Sequence, residues 1–258
     1  MAVVTGAGRG FGREIARRLA ARGHEMVLTD LDEAALASAS AELGGVGMVA
    51  DARSADDHRR VAVTAERRGR VAVWVNNAGV LRAGRAWELS DADVALQLDV
   101  NLAGVVHGSR AAVGVLRERG GHLLNIASMS AHGPVPGLAV YAATKAAVLN
   151  FSLSLQGDLD AGRIPVRVHA LCPDAADTAL VRDQQERPET AILFSRPALL
   201  TPGQVADAAV DLLDGRRLVR SLPVGRAVMA RTGALLPTVA LRVLDRLRAQ
   251  GEGRRAGA

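Results

Sequence analysis

What the chain lacks narrows it first. Among 258 residues there is one cysteine, Cys172, which excludes an intramolecular disulfide framework and leaves too few thiolates for a zinc or iron-sulfur site. A reducing, cytoplasmic setting is the expectation. None of the six histidines joins a ligand-like cluster, so no metal site is expected. Aromatics make up 2%, with one Tyr, two Trp and three Phe, too few stacking platforms for a reader of single-stranded nucleic acid. No apolar run approaches the roughly 20 residues that span a bilayer. The first strand-like run begins at Ala2 with no basic leader before it, so neither membrane spanning nor secretion is expected.

Lysine is nearly absent: 31 of the 32 Lys and Arg residues are Arg. The net charge of +5 and pI of about 10.7 would suit a polyanion, but the charge is localised. From Gly215 onward ten Arg face only Asp245 and Glu252, which leaves the rest of the chain slightly acidic. No double-strand module is apparent, and no nucleic-acid partner is expected. Within this basic extension, residues 215–258, Thr238 to Ala249 set Ala240, Val243, Leu244 and Leu247 on one helical face, with Arg242, Arg246 and Arg248 mostly away from it. Such a helix packs on the core, joins a second copy, or touches a membrane surface or acidic ligand.

Hydrophobic residues make up 49%, enough for a sizeable core, and the length fits one α/β domain over 1–258. Short apolar runs at Ala2–Thr5, Glu25–Thr29, Val46–Ala50, Val71–Val75, His122–Ala127 and Ile164–Leu171 alternate with helical periods at Phe11–Arg22, Asp32–Leu43, Asp91–Arg119 and Tyr141–Ala161. This alternation predicts a Rossmann-like, doubly wound parallel sheet of six strands with helices on both faces, and Leu218–Pro223 offers a seventh. The polar, Pro-containing stretch 175–203 is long for a plain connection and reads as a substrate-covering loop. Gln204–Leu213 is the next helix.

The first strand runs into Gly6-Ala7-Gly8-Arg9-Gly10-Phe11-Gly12 and then a helix. Glycines there allow a tight turn and the close approach of a pyrophosphate to free N–H groups at the helix start. Asp30, about twenty residues on, stands where a carboxylate accepts both ribose hydroxyls of an adenosine, which favours NAD over NADP. Arg9 could partly offset the repulsion of a 2′-phosphate, so NADP stays open. Asp30 could instead be a helix N-cap, for which Asp32 is an equal candidate. Asp51, after the third strand, is a candidate acceptor for the adenine amino group or a surface turn.

The only Tyr and the only Lys are Tyr141 and Lys145, one helical turn apart. In a chain that uses Arg nearly everywhere else, the retained ammonium supplies a compact point charge that a guanidinium fork does not. Four-residue spacing puts both side chains on one face. Lys145 is expected to lower the Tyr141 pKa from about 10 towards neutrality, making the phenol a general acid or base for an alcohol or carbonyl.

With these motifs in hand, the stretch from about Met1 to Leu180 resembles the short-chain dehydrogenase/reductase superfamily, in the branch with a Thr-Gly-x-x-x-Gly-x-Gly loop. The resemblance implies that Asn76-Asn77-Ala78-Gly79 stabilises the sheet and lines the adenosine side. It further implies that Asn101 holds a water in a proton relay, that Ser128 hydrogen-bonds the substrate oxygen, and that Lys145 binds the nicotinamide ribose. Pro173 and Thr178 fall where the family holds the nicotinamide carboxamide. Asp174 replaces the glycine usual after Pro173, and the Arg-rich tail replaces the usual C-terminal strand. The expected activity is hydride transfer between NAD(H) and an apolar secondary alcohol or ketone, with an NADPH-dependent 3-oxoacyl-thioester reductase as the alternative. A homodimer through residues 91–119 and 141–161, or a homotetramer, is the expected assembly.

Overall fold

The computed structural model describes residues 1–256. Seven parallel strands, β1 (Ala2–Thr5), β2 (Met26–Asp30), β3 (Val46–Val49), β4 (Val73–Asn76), β5 (Gly121–Ile126), β6 (Val166–Pro173) and β7 (Val219–Leu222), form one sheet in the order β3-β2-β1-β4-β5-β6-β7. The seventh strand is present, beside β6. Strand residues alternate between two cores as the pleat requires. Val4, Leu28, Val75 and Leu124 point to a layer with helices α1 (Gly10–Ala21), α2 (Glu33–Leu43) and α8 (Pro202–Asp214). Val3, Val27, Trp74 and Leu123 point to the other, with α3 (Ala55–Arg68), α5 (Gly104–Leu116) and α6 (Ala139–Ala161).

Helix α3 was not expected from the sequence pattern. Its charged stretch Asp56, Asp57, Arg59 and Arg60 masks a narrow face of His58, Val61, Ala62 and Ala65, the only buried residues in it. The start and stop signals are nonetheless regular: Ser54 caps the Asp57 N–H, acids occupy the first turn and Arg67 and Arg68 the last. The single helix expected over 91–119 is two, α4 (Asp91–Leu98) and α5, joined by a π-helical turn at Asp99–Ala103. Past β7, the expected helix near 238–249 is longer, α10 (Pro237–Ala256), and an unexpected α9 (Val224–Leu235) precedes it.

Polar side chains stitch the sheet interior. The Trp74 indole donates to Asn76 Oδ1 at 2.9 Å, Asn76 Nδ2 donates to Asn125 Oδ1 at 2.9 Å, and Asn125 Nδ2 donates to Ser152 Oγ on α6 at 2.9 Å. All four groups are buried and satisfied, as a buried polar network must be to stabilise. The carboxyl ends of the strands gather Thr5, Asp30, Asn76 and Pro173 on one edge. The order reverses between β1 and β4, and a parallel sheet opens a crevice at such a point.

At the far end, His122 on β5 and His169 on β6 stack with Nδ1 of His122 3.0 Å from Nε2 of His169. His169 Nδ1 lies 2.9 Å from the Arg217 carbonyl, which can only accept, so Nδ1 carries the proton and Nε2 accepts from His122. Burial holds the His169 pKa down to about 4. The unfolded chain therefore binds the extra proton first, and stability present at neutral pH is lost as pH falls from about 6.5 through 4. Urea unfolding should show the native chain losing about 2 kcal/mol more between pH 7 and pH 5 than His169→Gln does. Equal losses in the two proteins would exclude His169 as the source.

Candidate active site

A cavity of about 1020 Å³ occupies the crevice, at the upper end of the range for small-molecule sites. Its wall includes Gly6, Arg9, Gly10, Phe11, Asp30 and Asp51 from one half of the sheet. From the other half come Asn77, Ala78, Gly79, Ser128, Tyr141, Lys145, Pro173 and Thr178. The structure thus brings to one wall all but four of the candidate site residues singled out in the sequence. Gly8, Gly12, Asn76 and Asn101 lie behind it.

Gly12 is behind the wall because α1 presses on the loop: a Cβ there would come 2.1 Å from the Gly6 carbonyl oxygen. Gly10 does the opposite. It has φ +58, and a Cβ on it would meet only Thr178 Cγ2, at 3.7 Å, so its open side is a concavity facing the cavity. Arg9 precedes α1 without any side-chain cap, which leaves the first N–H groups of the helix to whatever fills that space. Asn77 holds the loop from β4, its Nδ2 donating to Thr5 O at 3.0 Å and Gly6 O at 2.9 Å. Thr5 Oγ1 in return accepts from the Asn77 and Ala78 N–H groups.

Asp30 and Asp32 divide the two roles open to them. Asp32 caps α2, accepting from the Ala35 N–H at 3.0 Å. Asp30 faces the cavity, where Oδ2 accepts from the Gly8 N–H at 2.9 Å and Oδ1 from the Asp32 N–H at 3.1 Å. Each oxygen keeps a lone pair for a further donor. Asp51 is a different case: both its oxygens engage Arg53, at 2.6 to 3.0 Å, and the guanidinium holds its carboxyl below the ordinary range. Asp51 lines the cavity as the acid of a surface turn, and its carboxylate is already paired.

Ser128 follows β5 and caps the short 3-10 turn Met129–His132, accepting from the Ser130 N–H. Tyr141 projects from the first turn of α6 into an apolar pocket of Leu81, Val135, Leu138, Leu180 and Leu193. Lys145, one turn on, is buried, with Nζ donating to the Ile126 carbonyl at 2.9 Å and lying 5.8 Å from the Tyr141 ring centre. The expected depression of the phenol pKa is not what this arrangement gives. Burial pushes Tyr141 up to about 12, against a smaller opposing pull from its hydrogen bond with Ser128, while burial brings Lys145 down to about 8. Desolvation acts on both groups and the ammonium is turned to a backbone carbonyl, so it outweighs the charge.

Asn101 sits buried in the π-helical turn, where Oδ1 accepts from the Val80 N–H at 2.8 Å and Nδ2 donates to the Val80 carbonyl at 2.9 Å. Its side chain clamps the segment after Gly79 to the π-helical turn. Gly79 lies between it and the lysine: a Cβ there would be 3.2 Å from Asn101 Oδ1 and 3.6 Å from Lys145 Nζ. Cys172 is fully buried, and burial pushes its thiol up to about 11. His132 bonds Ser221 Oγ at 2.9 Å and does not line the cavity.

Two features escaped the sequence reading. The loop 175–203, which contains the short helix α7 (Ala179–Arg182) and is clipped at its neck by an Ala176–Leu200 bridge, covers the cavity with Leu180, Val181, Ile192 and Leu193, but it does so together with α9 and α10. Met229, Ala230 and Gly233 of α9, and Ala240, Val243 and Leu244 of α10, line the same space. The apolar face of α10 was legible; its destination was not. Asp174, in the place of the family glycine, explains how α9 is seated. Its buried Oδ2 lies 3.2 Å from Nε of Arg226 on α9 and 4.0 Å from Arg196.

A sequence profile of the short chain dehydrogenase family matches residues 1–189. Galactitol 2-dehydrogenase (L-tagatose-forming) of Cereibacter sphaeroides is 39% identical over 209 residues, covering 78% of this chain and 80% of that protein. The probable oxidoreductase EphD of Mycobacterium tuberculosis is 35% identical over 266 residues and 95% of this chain, but this chain spans only 44% of it. Among solved structures, a short chain dehydrogenase/reductase from Burkholderia phymatum in complex with NAD superposes with a TM-score of 0.82 at 30% identity, over 89% of this chain and 91% of that one. The chain belongs to the short-chain dehydrogenase/reductase family.

The Asp174–Arg226 pair yields a test. Removing one partner leaves the other charge buried, so Asp174→Ala should cost about 2 kcal/mol in urea unfolding, and Arg226→Ala a similar amount. The double substitution should cost clearly less than the two single losses combined. Additive losses would mean that the two groups do not interact.

Proposed function

We propose that this chain transfers a hydride between NAD(H) and a secondary alcohol or ketone, with Tyr141 moving the hydroxyl proton. The observation that carries this reading is that Ser128, Tyr141 and Lys145 share a cavity wall with Gly10 and Asp30. The residues suit a dinucleotide: Gly10 opens a concavity at uncapped helix N–H groups, and Asp30 keeps acceptor capacity facing it. Gly10, Phe11 and the start of α1 would hold the pyrophosphate, Asp30 the adenosine ribose, Lys145 the second ribose, and Pro173 and Thr178 the carboxamide. A bound nicotinamide supplies the hydride donor or acceptor.

The protein's own part is proton transfer and orientation. Ser128 positions the substrate oxygen beside Tyr141. Burial keeps the phenol protonated at neutral pH, so the chain is poised for reduction: the phenol gives its proton to the carbonyl oxygen as the carbon gains hydride. The Lys145 ammonium then stabilises the phenolate left behind. The leucines and valine around Tyr141 and the apolar faces of α9 and α10 favour an apolar alcohol or ketone.

Two outcomes check this. Tyr141→Phe should lower kcat/KM for ketone reduction about a thousandfold and leave the NADH Kd within about twofold, since it removes one hydroxyl from the proton path. Lys145 is a cation below its pKa of about 8 and neutral above it. The support for phenolate is therefore present at pH 7, and kcat/KM for reduction should fall above about pH 8 by about tenfold per unit. A profile level to pH 10, followed by nicotinamide absorbance, would remove Lys145 from this role.

Cofactor preference is read by titration with NADH and NADPH. NADH should bind more tightly, and Asp30→Ala should weaken NADH about tenfold or more while leaving NADPH unharmed, because the repelling carboxylate is gone. Tighter NADPH binding to the native chain would give the selecting role to Arg9, which has no ion-pair partner among the described residues. It would also move the 3-oxoacyl-thioester reductase reading to first place.

A further inference from the structure

Among the described residues, eight of the fourteen large hydrophobic side chains left exposed fall between Val224 and Val243. Single exposed apolar residues need no explanation, whereas a cluster on one helix pair marks a contact surface. Leu235 is 80% exposed, Val224 71% and Leu236, at the junction of α9 and α10, 64%, and Val228, Val239 and Leu241 of the two helices are exposed as well. The stretch is also basic. Arg231, Arg242, Arg246 and Arg248 face Asp245 alone before Glu252. Arg242 and Arg246 make no ion pair or hydrogen bond among the described residues.

The patch is continuous with the cavity. Met229, Leu236, Val239 and Val243 each line the cavity and are each at least a third exposed, so the cavity reaches the surface through the apolar cluster. A protein partner on this face would close that mouth, and water alone would leave the leucines unburied. A lipid surface takes both halves of the patch, the hydrocarbon receiving Leu235 and Leu241 and anionic headgroups receiving the guanidinium groups. No helix among the described residues is long and apolar enough to cross a membrane, so the contact is with a surface.

We propose that the face formed by α9 and α10 docks on an anionic lipid bilayer, and that apolar substrates enter from the bilayer between Met229, Leu236, Val239 and Val243. The docking goes beyond the enzymatic reading above; the delivery of substrate rests on it. The two are tested separately.

Docking is measured by sedimenting the full chain with vesicles of phosphatidylcholine alone or mixed with phosphatidylglycerol. The native chain should pellet with the mixed vesicles at low salt. Leu235→Ser/Leu241→Ser, which alters two exposed residues outside the cavity wall, should weaken this about tenfold or more. Arg242→Glu/Arg246→Glu should do the same, with circular dichroism confirming that both variants fold. No pelleting, or pelleting that the leucine variant leaves unchanged, overturns the proposal. So does a concentration-dependent dimer that the leucine variant abolishes without any vesicle binding, since the face would then belong to a second copy.

Delivery is measured as turnover of a long-chain methyl ketone carried in the mixed vesicles, against dissolved butanone. The leucine variant should lose about tenfold on the first and keep the second. Equal turnover of the vesicle-borne ketone by both proteins overturns delivery. If neither ketone is reduced by the native chain, the enzymatic reading fails, and the sedimentation result still decides docking.

Discussion

The site depends on a tie across the crevice between β1 and β4. At a topological switch point the crossover helices leave in opposite directions, so beyond the β1–β4 ladder, which ends at Val4 and Val75, side-chain bonding sets the two strand ends against each other. Here the Asn77 amide donates to the Thr5 carbonyl, and the Thr5 hydroxyl oxygen accepts from the Asn77 and Ala78 backbone N–H groups. Asn76, the preceding residue, enters the buried chain of amides and hydroxyls that reaches Ser152 on the same helix as Tyr141 and Lys145. The glycine loop and the Tyr-Lys helix are thereby set against each other through one strand end.

That rigid frame explains why burial governs the titration of the two unusual residues. Tyr141 and Lys145 are placed by α6 against leucines and strand carbonyls, with little water to stabilise either charge. A phenol in such surroundings is held protonated, and the ammonium one turn along is held closer to its neutral point. A permanently charged guanidinium in place of Lys145 could not be shifted by burial in the same way.

Much of this was legible in the sequence because short apolar runs, glycines and a lone Tyr-Lys pair leave strong local signatures. The sheet, most of its helices, the glycine loop and the position of Asp30 at a strand end follow from patterns of two to twenty residues. What escaped was of two kinds. Helix α3 buries only a thin alanine-rich face, so its charged residues dominate the pattern. The partners of Asp51 and Asn101, Arg53 and the Val80 backbone, could not be inferred from residue type. The seating of α9 needed the pairing of Asp174 with Arg226, some fifty residues apart, and long-range pairs of that sort are set by tertiary packing alone.

The π-helical turn at Asp99–Ala103 bears on how the site tolerates changes in chain length. An extra residue in a helix is accommodated by such a turn, which lets α4 and α5 keep separate registers. Deleting one residue there would restore a continuous α-helix and rotate one side against the other by about 100° with a shift of about 1.5 Å. Leu96 and Val100 would then leave the cavity wall, or Asn101 would lose the Val80 backbone. The residue count of the turn is thus fixed from two sides at once, by the cavity wall and by the Val80 clamp.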